Sequence, residues 1–157
     1  MNIFWLSNNI EKNVQYHNDK HVVKMILEYA QLLSSVHYLT GSSYTPRYKL
    51  THKNHPCAKW VRESLSNYNY LLDLAEALCK EYTFRYEKTH KTEEVIKGLR
   101  INFPPIENKG FTSPPLAMPE KYHQKDYIQA YRDYYCYEKG HIASWKKREI
   151  PNWFIKE

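Results

Sequence analysis

The stretch Asp19-Lys20-His21-Val22-Val23-Lys24-Met25-Ile26-Leu27-Glu28-Tyr29-Ala30-Gln31-Leu32-Leu33 sets ionisable groups on one face of a helix that is otherwise built to be buried. At 3.6 residues per turn, Lys20, Lys24, Glu28 and Gln31 fall on one stripe. Val22, Met25, Ile26, Tyr29, Leu32, Leu33 and Val36 cover much of the rest of the surface. A long buried helix with one charged stripe predicts an α-helical protein. The stripe itself is a candidate active site, because two amines and a carboxylate along a partly desolvated wall are suited to proton transfer or nucleophilic attack.

Working outward, Ile3 to Leu6 reads as a strand or an apolar anchor, and Asn8 or Asn9 caps a brief helix through Gln15. Asn18 or Asp19 opens the long helix, which runs to about Tyr38 and stops before Thr40-Gly41-Ser42-Ser43. A polar, basic loop follows from Gly41 to Asn54, with Arg47, Lys49, His52 and Lys53. Asn54-His55-Pro56 then starts another helix, since proline is tolerated in a first turn. Trp60, Val61, Leu65, Tyr68, Leu71, Leu72, Ala75 and Leu78 keep the helical rhythm, with a break near Ser66-Asn67.

Thr92 opens a shorter helix through Gly98. Phe103 to Pro119 carries Pro104-Pro105 and Pro114-Pro115 and is predicted to be an ordered extended loop. The last helix spans about Lys125 to Ala143, with Tyr127, Ile128, Tyr131, Tyr134, Tyr135 and Ile142 as its broad aromatic face. The expected architecture is a mostly α, compact single-domain helical bundle with long ordered loops, one domain over residues 1–157.

At 157 residues the chain can bury a core without disulfides or a structural metal, and 42% hydrophobic with 25% charged residues is a globular composition. Four glycines argue against a glycine-rich phosphate loop. No apolar run is long enough to cross a bilayer, and the N-terminal Met1-Asn2-Ile3-Phe4-Trp5-Leu6-Ser7 lacks the marks of a secretory signal. The expected location is therefore the cytoplasm. Cys57, Cys79 and Cys136 are far apart and read as free buried thiols.

A net charge of +6 with 15 tyrosines and four tryptophans suggests a nucleic-acid partner, with cations drawn to phosphate and rings stacked on unpaired bases. Core tyrosines beneath a solvated basic surface would give the same composition. The tail Trp145-Lys146-Lys147-Arg148-Glu149-Ile150-Pro151-Asn152-Trp153-Phe154 poses the same choice. Either Lys146, Lys147 and Arg148 touch nucleic acid, or the aromatic residues dock into the core and leave the cations in water.

Among the ionisable groups Glu28 stands out, because a carboxylate within an apolar half-helix is costly unless paired or used. A Lys24 to Glu28 pair one turn apart is also an ordinary helix contact worth only about 0.2 to 0.5 kcal/mol. His17 with His21, and His52 with His55, are spaced closely enough to share a metal, but Asn18 stands where a metalloprotease pattern needs glutamate. His21 and His55 are read instead as hydrogen-bonding groups near substrate or phosphate, or as helix caps. Cys57 carries no mark of activation.

The string Asp19-Lys20-x-x-x-Lys24-x-x-x-Glu28-x-x-Gln31-Leu32-Leu33, then Asn54-His55-Pro56-x-x-x-Trp60, then Glu81-Tyr82-x-x-Arg85, resembles a group of small bacterial and phage proteins. That group is similar, more remotely, to the pyrimidine-dimer DNA glycosylases of the endonuclease V type. Those enzymes carry an aspartate, a histidine two residues on and a catalytic glutamate seven residues later, the spacing of Asp19, His21 and Glu28. The resemblance covers roughly residues 15 to 90. It implies a compact helical protein that binds duplex DNA with a damaged or modified base, displaces a nucleotide and cleaves its glycosidic bond, with an AP-lyase step through a Schiff base.

On that resemblance Glu28 would steady positive charge on the sugar while an amine attacks the anomeric carbon, with Lys20, Lys24 and His21 in the same site. Arg47, Lys53, His55, Lys59 and Arg85, with Lys146, Lys147 and Arg148, would hold the nucleic acid. No metal or organic cofactor is implied. If the protein is phage-encoded, it would act in the host cytoplasm.

The departure lies at the N-terminus, where the family uses the free amine of a threonine and this chain has Asn2. The amine of Met1, Lys20 or Lys24, or a water, takes that role, and Lys24 stands in for an arginine missing near Ile26 and Leu27. Two other readings keep these residues and assign them different work. One is another nucleic-acid enzyme, such as a nuclease or base-modifying transferase; the other is a non-catalytic phage binding or inhibitory module.

Overall fold

The computed structural model describes residues 2–155. Among them lie six α-helices and two single 3₁₀ turns, and no strand. They are α1 (Ile10–Tyr16), α2 (Asp19–Leu39), α3 (Pro56–Glu63), α4 (Leu65–Tyr86), α5 (Glu93–Arg100) and α6 (Tyr127–Lys139). The 3₁₀ turns, Glu120–Tyr122 and Gly140–Ile142, precede and follow α6.

The helix starts obey local chemistry. Asn9 accepts from the Lys12 amide and Asn18 from the His21 amide at 2.9 Å, each relieving a first-turn N–H for about 1 kcal/mol. His55 caps α3 through its ring, which accepts from the Cys57 N–H at 3.0 Å, and Pro56 follows as the first helical residue. Asp126 caps α6.

The break after α3 falls at Ser64 and not at Ser66-Asn67. Ser64 is extended and buried, and its hydroxyl turns away from the helix to accept the Lys109 amide at 2.9 Å. Asn67 remains helical and uses its side chain to fasten the proline-rich loop: it accepts the Thr112 N–H and donates to the Trp60 carbonyl. Tyr131 of α6 donates to the Pro115 carbonyl at 2.6 Å. These bonds hold residues 103–119 ordered without regular structure. The last helix is shorter than predicted, because Gly140 turns the chain into a 3₁₀ segment.

Ile3 to Leu6 is an anchor rather than a strand. All four side chains are buried, and Asn13 clips their backbone, accepting from the Leu6 N–H and donating to the Phe4 carbonyl. Trp5 meets Trp60 edge-on at 5.1 Å. The buried side chains form one cluster joining this anchor to α2, α4 and α6. Most of the aromatic richness is spent there: of the tyrosines described, only Tyr38 and Tyr137 are exposed. The tyrosines thus serve packing in the main, while Phe84, Phe103 and Phe111 stay exposed.

The carboxyl-terminal segment docks through Trp145, but its cations are not simply left in water, because Arg148 pairs with Glu81. The Trp145 indole N–H donates to the Tyr16 carbonyl, and the Asp19 amide donates to the Ser144 carbonyl. All three cysteines are free and buried, and burial pushes the Cys57 thiol up to about 11 and the Cys79 thiol up to about 12. No described helix is long and apolar enough to cross a membrane.

Candidate active site

α2 carries Asp19 and His21 in its first turn and Lys24 and Glu28 in the turns that follow, and its neighbours decide which of them meet. A cleft of about 200 Å³ is lined by His21, Lys24 and Glu28 of α2, by Asn2 and Phe4 of the anchor, and by Tyr134 and Lys139 of α6. The Glu28 side chain is 13% exposed, and its Oε2 lies 3.8 Å from Lys24 Nζ. Lys24 itself is 71% exposed, so the wall is desolvated on the carboxylate side and open on the amine side. Lys20, one turn earlier, is exposed and does not line the cleft.

Asn2 brings the beginning of the described chain to this cleft, its side-chain amide donating to the Ala117 carbonyl at 2.8 Å. The amine of Met1 lies outside the described residues. Lys139 and Tyr134 are functional candidates that sequence reading missed. Lys139 closes a helix far along the chain, 5.5 Å from the Tyr134 ring, and no spacing motif links it to α2.

His21 is buried against Phe4, stacked at 4.6 Å, with its Nδ1 2.7 Å from the Tyr135 hydroxyl. Burial drives its pKa down to about 3, and nearby positive charges from Lys139 and Lys24 act in the same direction. It is a neutral imidazole at physiological pH. His17 does not share a ligand with it, because both His17 nitrogens are committed, to the Asn13 carbonyl and the Tyr29 hydroxyl.

The expected phosphate contacts divide. Arg47, Lys53 and Lys59 are exposed, with Arg47 3.7 Å from Glu94. His55 is occupied as a helix cap. Arg85 is a correction: it is fully buried, with Nε on Glu81, Nη1 on Asp19 and Nη2 on the Gln15 carbonyl, so none of its donors reaches a ligand.

Arg148 binds Glu81 through two nitrogens at 3.0 and 2.9 Å while lying over Phe84, and Lys147 donates to the Phe84 carbonyl. Lys146 lies over the Tyr86 ring. A wider depression of about 440 Å³ beside Lys12, Gln15, Tyr16 and the tail includes Lys147 and Arg148, whose side chains are thus already engaged. The smaller cleft is the candidate active site, since it is lined by a shielded carboxylate, a buried imidazole and two amines.

The described residues form an all-α fold around this carboxylate and amine cleft, and among them no group of three or more His, Cys, Asp or Glu side chains is placed to hold a metal ion. The family model for pyrimidine dimer DNA glycosylase matches residues 1–94, more than half of the chain, and the chain belongs to that family. No curated protein and no solved structure matches it. The matched segment contributes Asn2, Phe4, His21, Lys24 and Glu28, whereas Tyr134 and Lys139 come from beyond it.

Proposed function

We propose that the protein excises a damaged pyrimidine base, of the dimer type, from duplex DNA and then cleaves the abasic strand as a lyase, with the Glu28 cleft as its active site. The observation that carries this reading is the meeting of Glu28, shielded to 13% exposure, with amines of two helices and the start of the chain in one cleft. A shielded carboxylate offers stronger electrostatic stabilisation to a developing sugar cation than one in bulk water.

In this scheme the nucleotide leaves the stack to enter the cleft. An amine lone pair bonds to C1′ as the glycosidic bond breaks, and the glycosidic bonding pair leaves with the base, which takes its proton from water. Glu28 balances the cation and accepts the proton shed by the amine. Glu28 returns that proton to O4′ as the C1′–O4′ bond breaks, and the sugar ring opens to a protonated imine. Loss of a C2′ proton then expels the 3′ phosphate, and water releases the enzyme.

Lys24 is the described amine nearest the carboxylate. Lys139 faces the same cleft, and Met1 precedes cleft-lining Asn2 in the chain. Exposed Lys53, Lys59 and Arg47 supply salt-dependent attraction to phosphates. The test is borohydride trapping on ultraviolet-irradiated duplex DNA, followed by peptide mapping of the adduct. An adduct on residue 1, 24 or 139 supports the reading. Absence of both adduct and base release overturns it.

A further inference from the structure

Three buried imidazoles each meet a buried tyrosine hydroxyl: His17 with Tyr29 at 2.9 Å, His37 with Tyr68 at 2.9 Å and His21 with Tyr135 at 2.7 Å. In the first two, the other ring nitrogen is also bonded, to the Asn13 carbonyl and to the Ser42 hydroxyl. His21 differs. Its Nε2 has no protein partner among the described residues, although the residue is only 6% exposed, and the ring lines the Glu28 cleft. That nitrogen is not among the sealed orphan atoms, so it reaches the solvent of the cleft.

Counting hydrogens fixes where its proton sits. The Tyr135 oxygen already accepts the Asn18 backbone N–H at 2.8 Å. If His21 also donated to it, the tyrosine's own proton would have no acceptor inside a fully buried residue. The arrangement that satisfies every group has the Tyr135 O–H donating to His21 Nδ1, which leaves the proton of the neutral ring on Nε2. Phe4, stacked within 19° of parallel, holds the ring plane.

We infer that Tyr135 is a positioning residue, which fixes His21 as its Nε2–H tautomer so that the cleft offers an uncharged hydrogen-bond donor to an oxygen of the nucleotide held against Glu28. The identity of the substrate rests on the glycosylase reading above; the tautomer does not. An uncharged donor suits this place. It can orient a sugar or base oxygen without adding positive charge beside a sugar that is itself becoming cationic. Tyr135 lies outside the family-matched residues, so this support comes from the remainder of the chain.

The test is a long-range ¹H–¹⁵N NMR spectrum of the full chain labelled at histidine, from about pH 5 to about pH 8. An acceptor-type Nδ1 and a protonated Nε2 are expected for His21, unchanged across the range. An Nδ1–H tautomer or an imidazolium near pH 6 overturns the inference.

Tyr135→Phe should make that spectrum mixed, and should slow single-turnover base release from ultraviolet-irradiated duplex about tenfold or more while DNA affinity changes less than about twofold. His21→Gln, which keeps a donor amide, should retain more rate than His21→Leu. An unaltered spectrum and rate in Tyr135→Phe overturn the positioning role. If that variant does not fold, the wild-type spectrum and the Gln and Leu pair still decide. Wild-type inactivity on this DNA would overturn the glycosylase reading, whereas the spectrum would still judge the tautomer.

Discussion

Arg85 Nη1 donates to Asp19 Oδ1 at 3.0 Å from a fully buried guanidinium, tying the end of α4 to the start of α2. The aspartate that shares the family spacing with His21 and Glu28 is thereby a fastening point. It also accepts the Ser144 hydroxyl at 2.8 Å and the Lys146 amide at 2.8 Å. Arg85 in turn neutralises Glu81, itself 4% exposed and clasped from the other side by Arg148. Removing the arginine leaves buried Glu81 with Arg148 alone and half-buried Asp19 without its cation. We expect Arg85→Met to lose about 3 to 5 kcal/mol of stability in urea unfolding, and Arg85→Lys to recover only part of it, because an ammonium cannot span the same acceptors.

Acid should destabilise the protein well before its carboxylates protonate. Burial lowers His17 from 6.5 to about 4 and His21 from 6.5 to about 3, and burial shifts His37, His55 and His90 the same way. Below the unfolded value the unfolded chain binds protons that the folded chain refuses, so stability is fully present above about pH 6.5 and falls with pH towards those folded values. The expected slope is about 1.4 kcal/mol per pH unit for each of His17 and His21. Urea midpoints at successive pH values between 7 and 5 check it; a midpoint constant over that range contradicts it.

One side-chain amide makes three of the bonds that fasten the proline-rich loop. Asn67→Ala removes two donations and one acceptance that join α4 to Trp60 and Thr112, leaving the Trp60 carbonyl and the Thr112 amide without those bonds. We expect a cost of about 1 to 3 kcal/mol, with faster amide exchange confined to residues 103–119.

Electrostatic attraction should be separable from turnover. Lys59→Ala, in an exposed cation away from the Glu28 cleft, should weaken DNA binding evenly across sequences and reduce the slope of log affinity against log salt by about 1. Base release from saturating enzyme should be unchanged. A salt slope equal to the wild type would remove Lys59 from the interface.

Much of the fold is legible in the sequence because its signals are local. Asn9, Asn18 and His55-Pro56 mark helix starts by side-chain chemistry that needs no distant partner, and the apolar rhythm of α2 and α4 survives in the core. The break at Ser64 is not legible, because its extended conformation answers to Lys109 and Asn108, which lie in a loop far along the chain. The site is legible only along α2. Glu28 and Lys24 share a cleft as their spacing implies, yet Lys20 falls outside it and Lys139 enters from another helix. Arg85 resembles a phosphate contact for the same reason: a charged residue's partner across the fold is invisible in the sequence, and here that partner is Asp19, a half-buried residue at the start of α2.

The proposed base excision assigns its charge stabilisation to the Glu28 carboxylate. The decisive measurement is single-turnover base release from ultraviolet-irradiated duplex DNA with Glu28→Gln, which keeps the side chain's size and removes its charge. A rate lower by about 10²-fold or more is expected, with DNA affinity retained. Release at the wild-type rate would overturn the assignment.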